Sequence, residues 1–185
     1  MTTSPSMTPW WRRPFTWGAV IVILHLVGAT GTALGYAHLL LPLTPLNLIL
    51  CAGIVMSFTG DESPWRWALT MFLGFGIEVL GVATGLLFGD YSYGSGLGPQ
   101  ALDVPLLMGV LWWLLLIGTH HLSERFLSLG GRVVSPVVRS ALAATMMTAL
   151  DGAIEPVAIR AGWWTWHDGG IPWTNYLTWW IAAFA

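Results

Sequence analysis

Hydrophobic residues are concentrated in six windows that are separated by short polar segments. The windows run roughly over residues 16–37, 43–59, 66–88, 104–122, 137–159 and 173–185. Because about 20 apolar residues cross a bilayer, the pattern predicts an all-α, polytopic transmembrane helix bundle of about six spans. The last window is short for a span and stops while it is still apolar, which indicates further C-terminal sequence.

The composition supports a membrane protein and excludes several other classes. Hydrophobic residues make up 55% of the chain, and only 9% are charged, whereas about a quarter are charged in soluble domains. The seven basic residues are all arginine and form no basic run, so we expect no binding of nucleic acid. Cys51 is the single cysteine, which excludes an intrachain disulfide and a cysteine metal cluster. The histidines are scattered or adjacent, so we expect no metal site.

The placement of the arginines predicts the orientation, because short loops rich in Lys and Arg remain cytoplasmic. All but Arg160 fall at the N-terminus or in the even-numbered loops, at Arg12, Arg13, Arg66, Arg125, Arg132 and Arg139. We therefore predict a cytoplasmic N-terminal segment over residues 1–15 and one transmembrane domain over residues 16–185. The polar, aromatic loops 89–103 and 162–172 would then lie on the outer side.

Three carboxylates, Glu78, Asp151 and Glu155, lie within or at the edges of these apolar windows. An ionisable residue at the centre of a span costs roughly 2.5 to 3.5 kcal/mol on insertion scales, so each is a candidate functional residue. Asp151 and Glu155 are four residues apart, which places them on one helical face. Burial and mutual repulsion disfavour two charged acids so close together, so one should hold a proton and could act as a general acid.

Other interpretations of these acids remain open. Pro156 directly follows Glu155, and a proline there should kink or end the helix and make room for a ligand or water. Alternatively, Asp151 and Glu155 pair with Arg160 near the interface, and Glu78 bonds to a neighbouring helix.

Gly85 follows Glu78 by seven residues, as Gly162 follows Glu155. This spacing indicates a weak internal repeat or chance similarity.

Ten of the thirteen tryptophans fall into two groups. Those that flank the windows are predicted to be interfacial anchors; they are Trp10, Trp11, Trp17, Trp65, Trp67, Trp179 and Trp180. Trp163, Trp164 and Trp166 follow the Asp151 and Glu155 pair at once, so they could line a cavity as well as anchor a loop.

Two ordered sets of motifs resemble the membrane carotenoid 1,2-hydratase family, which includes bisanhydrobacterioruberin hydratases. The resemblance covers about residues 74 to 180. The first set comprises Glu78, Gly81, Thr84, Gly85, Phe88, Gly89, Tyr91, Tyr93, Leu97-Gly98-Pro99, Val104-Pro105 and Trp112. The second comprises Asp151, Glu155-Pro156, Gly162, Trp163, Trp164, Trp166, Ile171-Pro172, Asn175-Tyr176 and Trp179.

The resemblance implies a cofactor-independent hydratase in a prokaryotic cytoplasmic membrane. Such an enzyme adds water across the terminal 1,2 double bond of an acyclic carotenoid end and gives a tertiary alcohol. Asp151 and Glu155 are then the expected acid and water-handling pair, with Glu78 as alternative acid or electrostatic partner. The expected substrate-binding residues are Tyr91, Tyr93, Trp163, Trp164, Trp166, Asn175 and Tyr176. The expected partners are the carotenoid, membrane lipid and other enzymes of carotenoid synthesis.

Three alternative functions fit some of the same features. A proton-initiated carotenoid cyclase would use the same acid but let an internal alkene capture the cation. An ion or proton transporter would also place carboxylates within spans. A carotenoid-binding protein without catalysis would need the aromatic residues but not the acids.

Overall fold

The computed structural model describes residues 13–59, 63–129 and 134–185. Contacts divide the chain into two compact units, Met1–Asp61 and Glu62–Ala185. Most of the predicted cytoplasmic segment, residues 1–15, therefore lies outside the described residues, as do Trp10, Trp11, Arg12 and Arg132.

The described part of the first unit, residues 13–59, is almost entirely helical. Helix α1 spans Pro14–Gly31, α2 spans Ala37–Leu40 and α3 spans Thr44–Phe58; a π-helical turn, Thr32–Tyr36, and a 3-10 turn, Leu41–Leu43, connect them. The chain changes direction within the π-helical turn at Gly35, where φ is 95°. Helix α1 packs against α3.

Four helices form most of the described part of the second unit, and local sequence signals mark both ends of two of them. They are α4 (Pro64–Thr84), α5 (Leu107–Ser128), α6 (Pro136–Ala161) and α7 (Trp173–Phe184). Proline occupies the first turn of α4 and α6, where a missing N–H costs nothing. Both helices end at a glycine in the left-handed conformation, Gly85 and Gly162. Helix α4 packs on α5, α5 on α6, and α6 on α7.

The segments predicted as outer loops contain short strands. Strand β1 (Tyr91–Tyr93) pairs antiparallel with β4 (Trp164–Trp166), and β2 (Gln100–Ala101) pairs with β3 (Val104–Pro105). The β1–β4 pair joins the two predicted loops although 70 residues separate Tyr93 from Trp164 in sequence. The helical scaffold thus carries a small two-stranded ribbon that the sequence did not indicate.

The described residues include three helical stretches that are long and apolar enough to cross a membrane: Pro14–Phe58, Pro64–Thr84 and Pro136–Ala161. The chain is therefore mostly helical and apolar, as predicted. The count of six spans and the cytoplasmic N-terminus remain predictions. Helix α6 continues through Pro156 to Ala161, so the helix does not end beside Glu155.

Candidate active site

Glu78 lies on the inner face of α4 and accepts three hydrogen bonds. The Tyr91 and Tyr93 hydroxyls donate to its Oε2 at 2.6 and 2.7 Å, and Trp112 Nε1 donates to its Oε1 at 2.8 Å. The side chain of Glu78 is only 2% exposed. Because all three donors are uncharged, they stabilise the carboxylate without forming an ion pair.

Glu155 and Asp151 lie one turn apart on α6, and both are buried. Glu155 Oε2 accepts hydrogen bonds from Trp164 Nε1 at 2.9 Å and Trp166 Nε1 at 3.1 Å. The Asn175 amide donates to Asp151 Oδ2 at 2.9 Å and to Glu155 Oε1 at 3.4 Å. The donors of this pair are thus indole and amide groups, and Arg160 is not among them.

The β1–β4 ribbon supplies four of these donors. Tyr91 lies opposite Trp166, and Tyr93 lies opposite Trp164. Alternate residues of a strand point to the same face, so all four polar aromatic side chains face the acids. Burial raises the pKa of Tyr91 and of Tyr93 well above the usual value, and the neighbouring Glu78 carboxylate raises it further. Both phenols therefore remain protonated donors at ordinary pH.

A cavity of about 20 Å³ lies among the three acids. Its lining is mixed, with polar groups beside aromatic and apolar side chains: Glu78, Phe88, Tyr91, Tyr93, Met108, Asp151, Glu155, Trp164, Trp166, Asn175 and Trp179. A volume of this size is enough for a water molecule. A water molecule bound there would lie within reach of the carboxyl groups, which can accept a proton, and of the aromatic faces.

The structure brings most of the predicted site residues together. The exceptions are Trp163, which packs against Gly96, and Tyr176, which lies beside Gly152; neither lines the cavity. Trp179, predicted to be an interfacial anchor, is instead 7% exposed.

Sequence reasoning missed the apolar part of the lining, Phe88, Met108 and Trp179, and the indole donor Trp112. Trp112 and Trp179 stack with ring centroids 4.3 Å apart and planes inclined by 6°. Each follows a proline, Pro105 or Pro172, by seven residues. That shared spacing is the signal that could have identified the two tryptophans as a pair.

The arrangement of these groups suits proton transfer to an apolar ligand. It combines three buried carboxyl groups, neutral hydrogen-bond donors and aromatic faces around one cavity. Among the described residues, no three His, Cys, Asp or Glu side chains form a cluster that could hold a metal ion.

Comparisons with known proteins agree on one family. The family described as carotenoid biosynthesis protein matches residues 44–185. Bisanhydrobacterioruberin hydratase from Haloarcula japonica is 34% identical over 184 aligned residues, which cover 89% of this chain and 60% of the relative. The chain thus spans about three fifths of the length of this curated relative. No solved structure matches the chain significantly.

Proposed function

The chain belongs to the carotenoid biosynthesis protein family, and from this premise we propose that it is a carotenoid hydratase. The reaction adds water across the terminal 1,2 double bond of an acyclic carotenoid end and gives a tertiary alcohol. The observation that carries the proposal is the water-sized cavity bounded by Glu78, Asp151 and Glu155. The hydratase name of the similar haloarchaeal protein supports the same reaction.

The chemistry of hydration requires three functions, and the site has groups for each. An acid must protonate the less substituted alkene carbon, and Asp151 and Glu155 are the carboxyl groups that lie one turn apart. A base must take a proton from the attacking water, which the other member of the pair can do. The intermediate tertiary cation needs stabilisation, for which Glu78 and the aromatic faces are placed around the same cavity.

The expected position of the substrate follows from the lining. Tyr91, Tyr93, Trp164 and Trp166 present their polar atoms to the acids, so their rings form walls for the branched carotenoid end. Met108 adds an apolar surface. The end group is larger than the cavity, so binding requires these side chains to move apart.

A hydrophobic substrate also explains why the enzyme would lie in a membrane. A carotenoid dissolves in lipid, and the described part of the chain includes three helical stretches apolar enough to cross a membrane. We propose a multi-pass protein of a prokaryotic cytoplasmic membrane, with about six spans and the N-terminus in the cytoplasm. It needs no redox cofactor, because hydration changes no net oxidation state. Other enzymes of carotenoid synthesis are its expected neighbours.

Expression in a bacterium that accumulates lycopene tests the proposal. We expect pigments whose mass increases by one water per modified end, and loss of this product in Glu78→Gln, Asp151→Asn and Glu155→Gln. Glu124→Gln is the matched control, because Glu124 pairs with Arg139 at a partly exposed position away from the cavity. A ring-bearing product of unchanged mass would contradict hydration. Full hydration in all three amide variants of the site would contradict the site assignment.

A further inference from the structure

The second unit contains the same helix and strand pattern twice. Glu78 and Glu155 are each followed after seven residues by a glycine, Gly85 or Gly162. The two glycines end their helices with φ of 65° and 66°. Each then leads to a strand, and the two strands pair with each other. The two halves therefore share this order of helix, glycine cap and strand, with Glu78 and Glu155 at corresponding positions before the caps.

The duplication continues into the following helices. Pro172 lies directly before α7 and Pro105 two residues before α5, and Trp179 and Trp112 each follow their proline by seven residues. The two indoles stack almost parallel on each other. Contact between equivalent residues is what a local two-fold relation between the halves produces.

Two positions break this equivalence at the cavity. Four residues before the repeated glutamates stand Gly74 in the first half and Asp151 in the second. Four residues before the repeated tryptophans stand Met108 and Asn175. A side chain at Gly74 would overlap Trp112, with an added Cβ 2.5 Å from its Cγ. The hydrogen-bonded pair of Asp151 and Asn175 therefore has no counterpart in the first half.

The three acids also differ in how many donors they receive. Glu78 accepts hydrogen bonds from two phenols and one indole. Glu155 accepts from two indoles and, at 3.4 Å, from Asn175. Among the described residues, Asn175 alone donates a hydrogen bond to Asp151. Donors stabilise the charged form of a carboxyl group, so Asp151, which has the fewest donors, is the acid that its hydrogen bonds stabilise least as an anion.

We propose that Asp151 is the proton donor, that Glu155 deprotonates the water, and that Asn175 positions both acids; this division of roles rests on the proposed hydratase function. The carboxyl O–H bond of Asp151 and the alkene π bond break as a C–H bond forms, which leaves a tertiary cation. The water oxygen bonds to that cation and passes its proton to Glu155. The proton then returns to Asp151, one helical turn away, so the acid is restored and only water is added.

Deuterium exchange separates the donor from the base. The full chain in lipid vesicles is supplied with lycopene in heavy water, and both hydrated product and deuterium in the recovered lycopene are measured. Glu155→Gln should lose hydration by about 10²–10⁴-fold but still incorporate deuterium, because the cation can return a proton to Asp151. Asp151→Asn should lose both by a similar factor. Exchange that survives in Asp151→Asn, or is lost in Glu155→Gln, would overturn the division of roles.

Infrared spectroscopy of the purified protein gives a measurement that does not depend on activity. The carbonyl stretch of a protonated carboxylic acid should be present in the wild type and in Glu78→Gln, and absent in Asp151→Asn. If the wild type hydrates lycopene but this band is unchanged in Asp151→Asn, the inference is wrong and the proposed function stands. If the wild type gives no hydrated product, the proposed function is wrong whatever the band shows.

The role of Asn175 has its own test. Asn175→Leu should lower kcat by about 10-fold with little change in KM, because the substrate walls remain and only the acids lose their shared donor. Asn175→Gln keeps the amide and should recover part of that loss. A loss that appears in KM alone, or no recovery in Asn175→Gln, would contradict a positioning role.

Discussion

Gly74 is the position where one added methyl group should disturb the site most directly. It lies on α4, one turn before Glu78, and is buried under Trp112. An alanine Cβ would lie 2.5 Å from Trp112 Cγ and 3.1 Å from its Cδ1, whereas carbon atoms in contact are about 3.5–4.0 Å apart. Trp112 has little freedom to move, because it stacks on Trp179 and donates to Glu78.

The expected effect on stability combines three contributions. Overpacking costs about 1–3 kcal/mol, and losing the indole hydrogen bond to a charged acceptor costs about 1.5–3 kcal/mol. Replacing glycine by alanine within a helix returns about 1 kcal/mol. Gly74→Ala should therefore lower the free energy of unfolding by about 1.5–5 kcal/mol.

Gly76→Ala is the matched control on the same helix. A Cβ at Gly76 would meet no atom within 4 Å, so this variant should be unchanged or stabilised by up to about 1 kcal/mol. Unfolding of both variants in detergent micelles and their yield of hydrated pigment provide the comparison. If Gly74→Ala were as stable and as active as Gly76→Ala, the packing of Trp112 over α4 would not be a constraint on the site.

Further predictions concern the donors and an exposed ion pair. Trp166→Phe removes one hydrogen-bond donor from Glu155. If this hydrogen bond contributes about 1.5–3 kcal/mol to the transition state, the yield of hydrated pigment should fall by roughly 10–100-fold. Burial and the neighbouring Glu78 raise the pKa of Tyr91. The folded protein therefore keeps the phenol proton at pH values where the unfolded chain loses it. As a result, the free energy of unfolding should fall above about pH 10. Tyr91→Phe should show a smaller fall when denaturation is compared at about pH 8 and about pH 11. Arg139→Gln breaks an ion pair whose side chains are 37% and 41% exposed, so solvent screening should limit its effect on stability to less than about 1 kcal/mol, with pigment hydration unchanged.

Much of the helical scaffold could be predicted, because local sequence signals set where its helices begin and end. The window 137–159 became α6, Pro136–Ala161, since Ser135 and Pro136 start a helix and Gly162 ends one. The expectation of a helix end at Pro156 depended on one lost backbone donor, and the observed helix shows that its surroundings tolerate that loss. Apolar length therefore predicted α6 better than the single proline did.

The ribbon could not be predicted in the same way. Strands β1 and β4 have three residues each and lie far apart in sequence, so no hairpin turn connects them. Their pairing depends on how the helices α4 to α7 pack on one another, which is a tertiary relation. For the same reason, Trp179 could not be distinguished from an interfacial anchor, because its partner Trp112 is on another helix.

Neutral donors suit the proposed reaction, because they give hydrogen bonds to the acids of an apolar bundle without adding positive charge beside the proposed cationic intermediate. An arginine beside Glu78 or Glu155 would stabilise the carboxylate as well as the phenols and indoles do, but its positive charge would oppose the tertiary cation. Tyrosine, tryptophan and asparagine donate hydrogen bonds and add no net charge. A negative charge on either glutamate would therefore act on the proposed cation without being neutralised by a neighbouring arginine. On this argument the aromatic ribbon gives hydrogen bonds to both glutamates and adds no positive charge that would oppose the transition state of the proposed reaction.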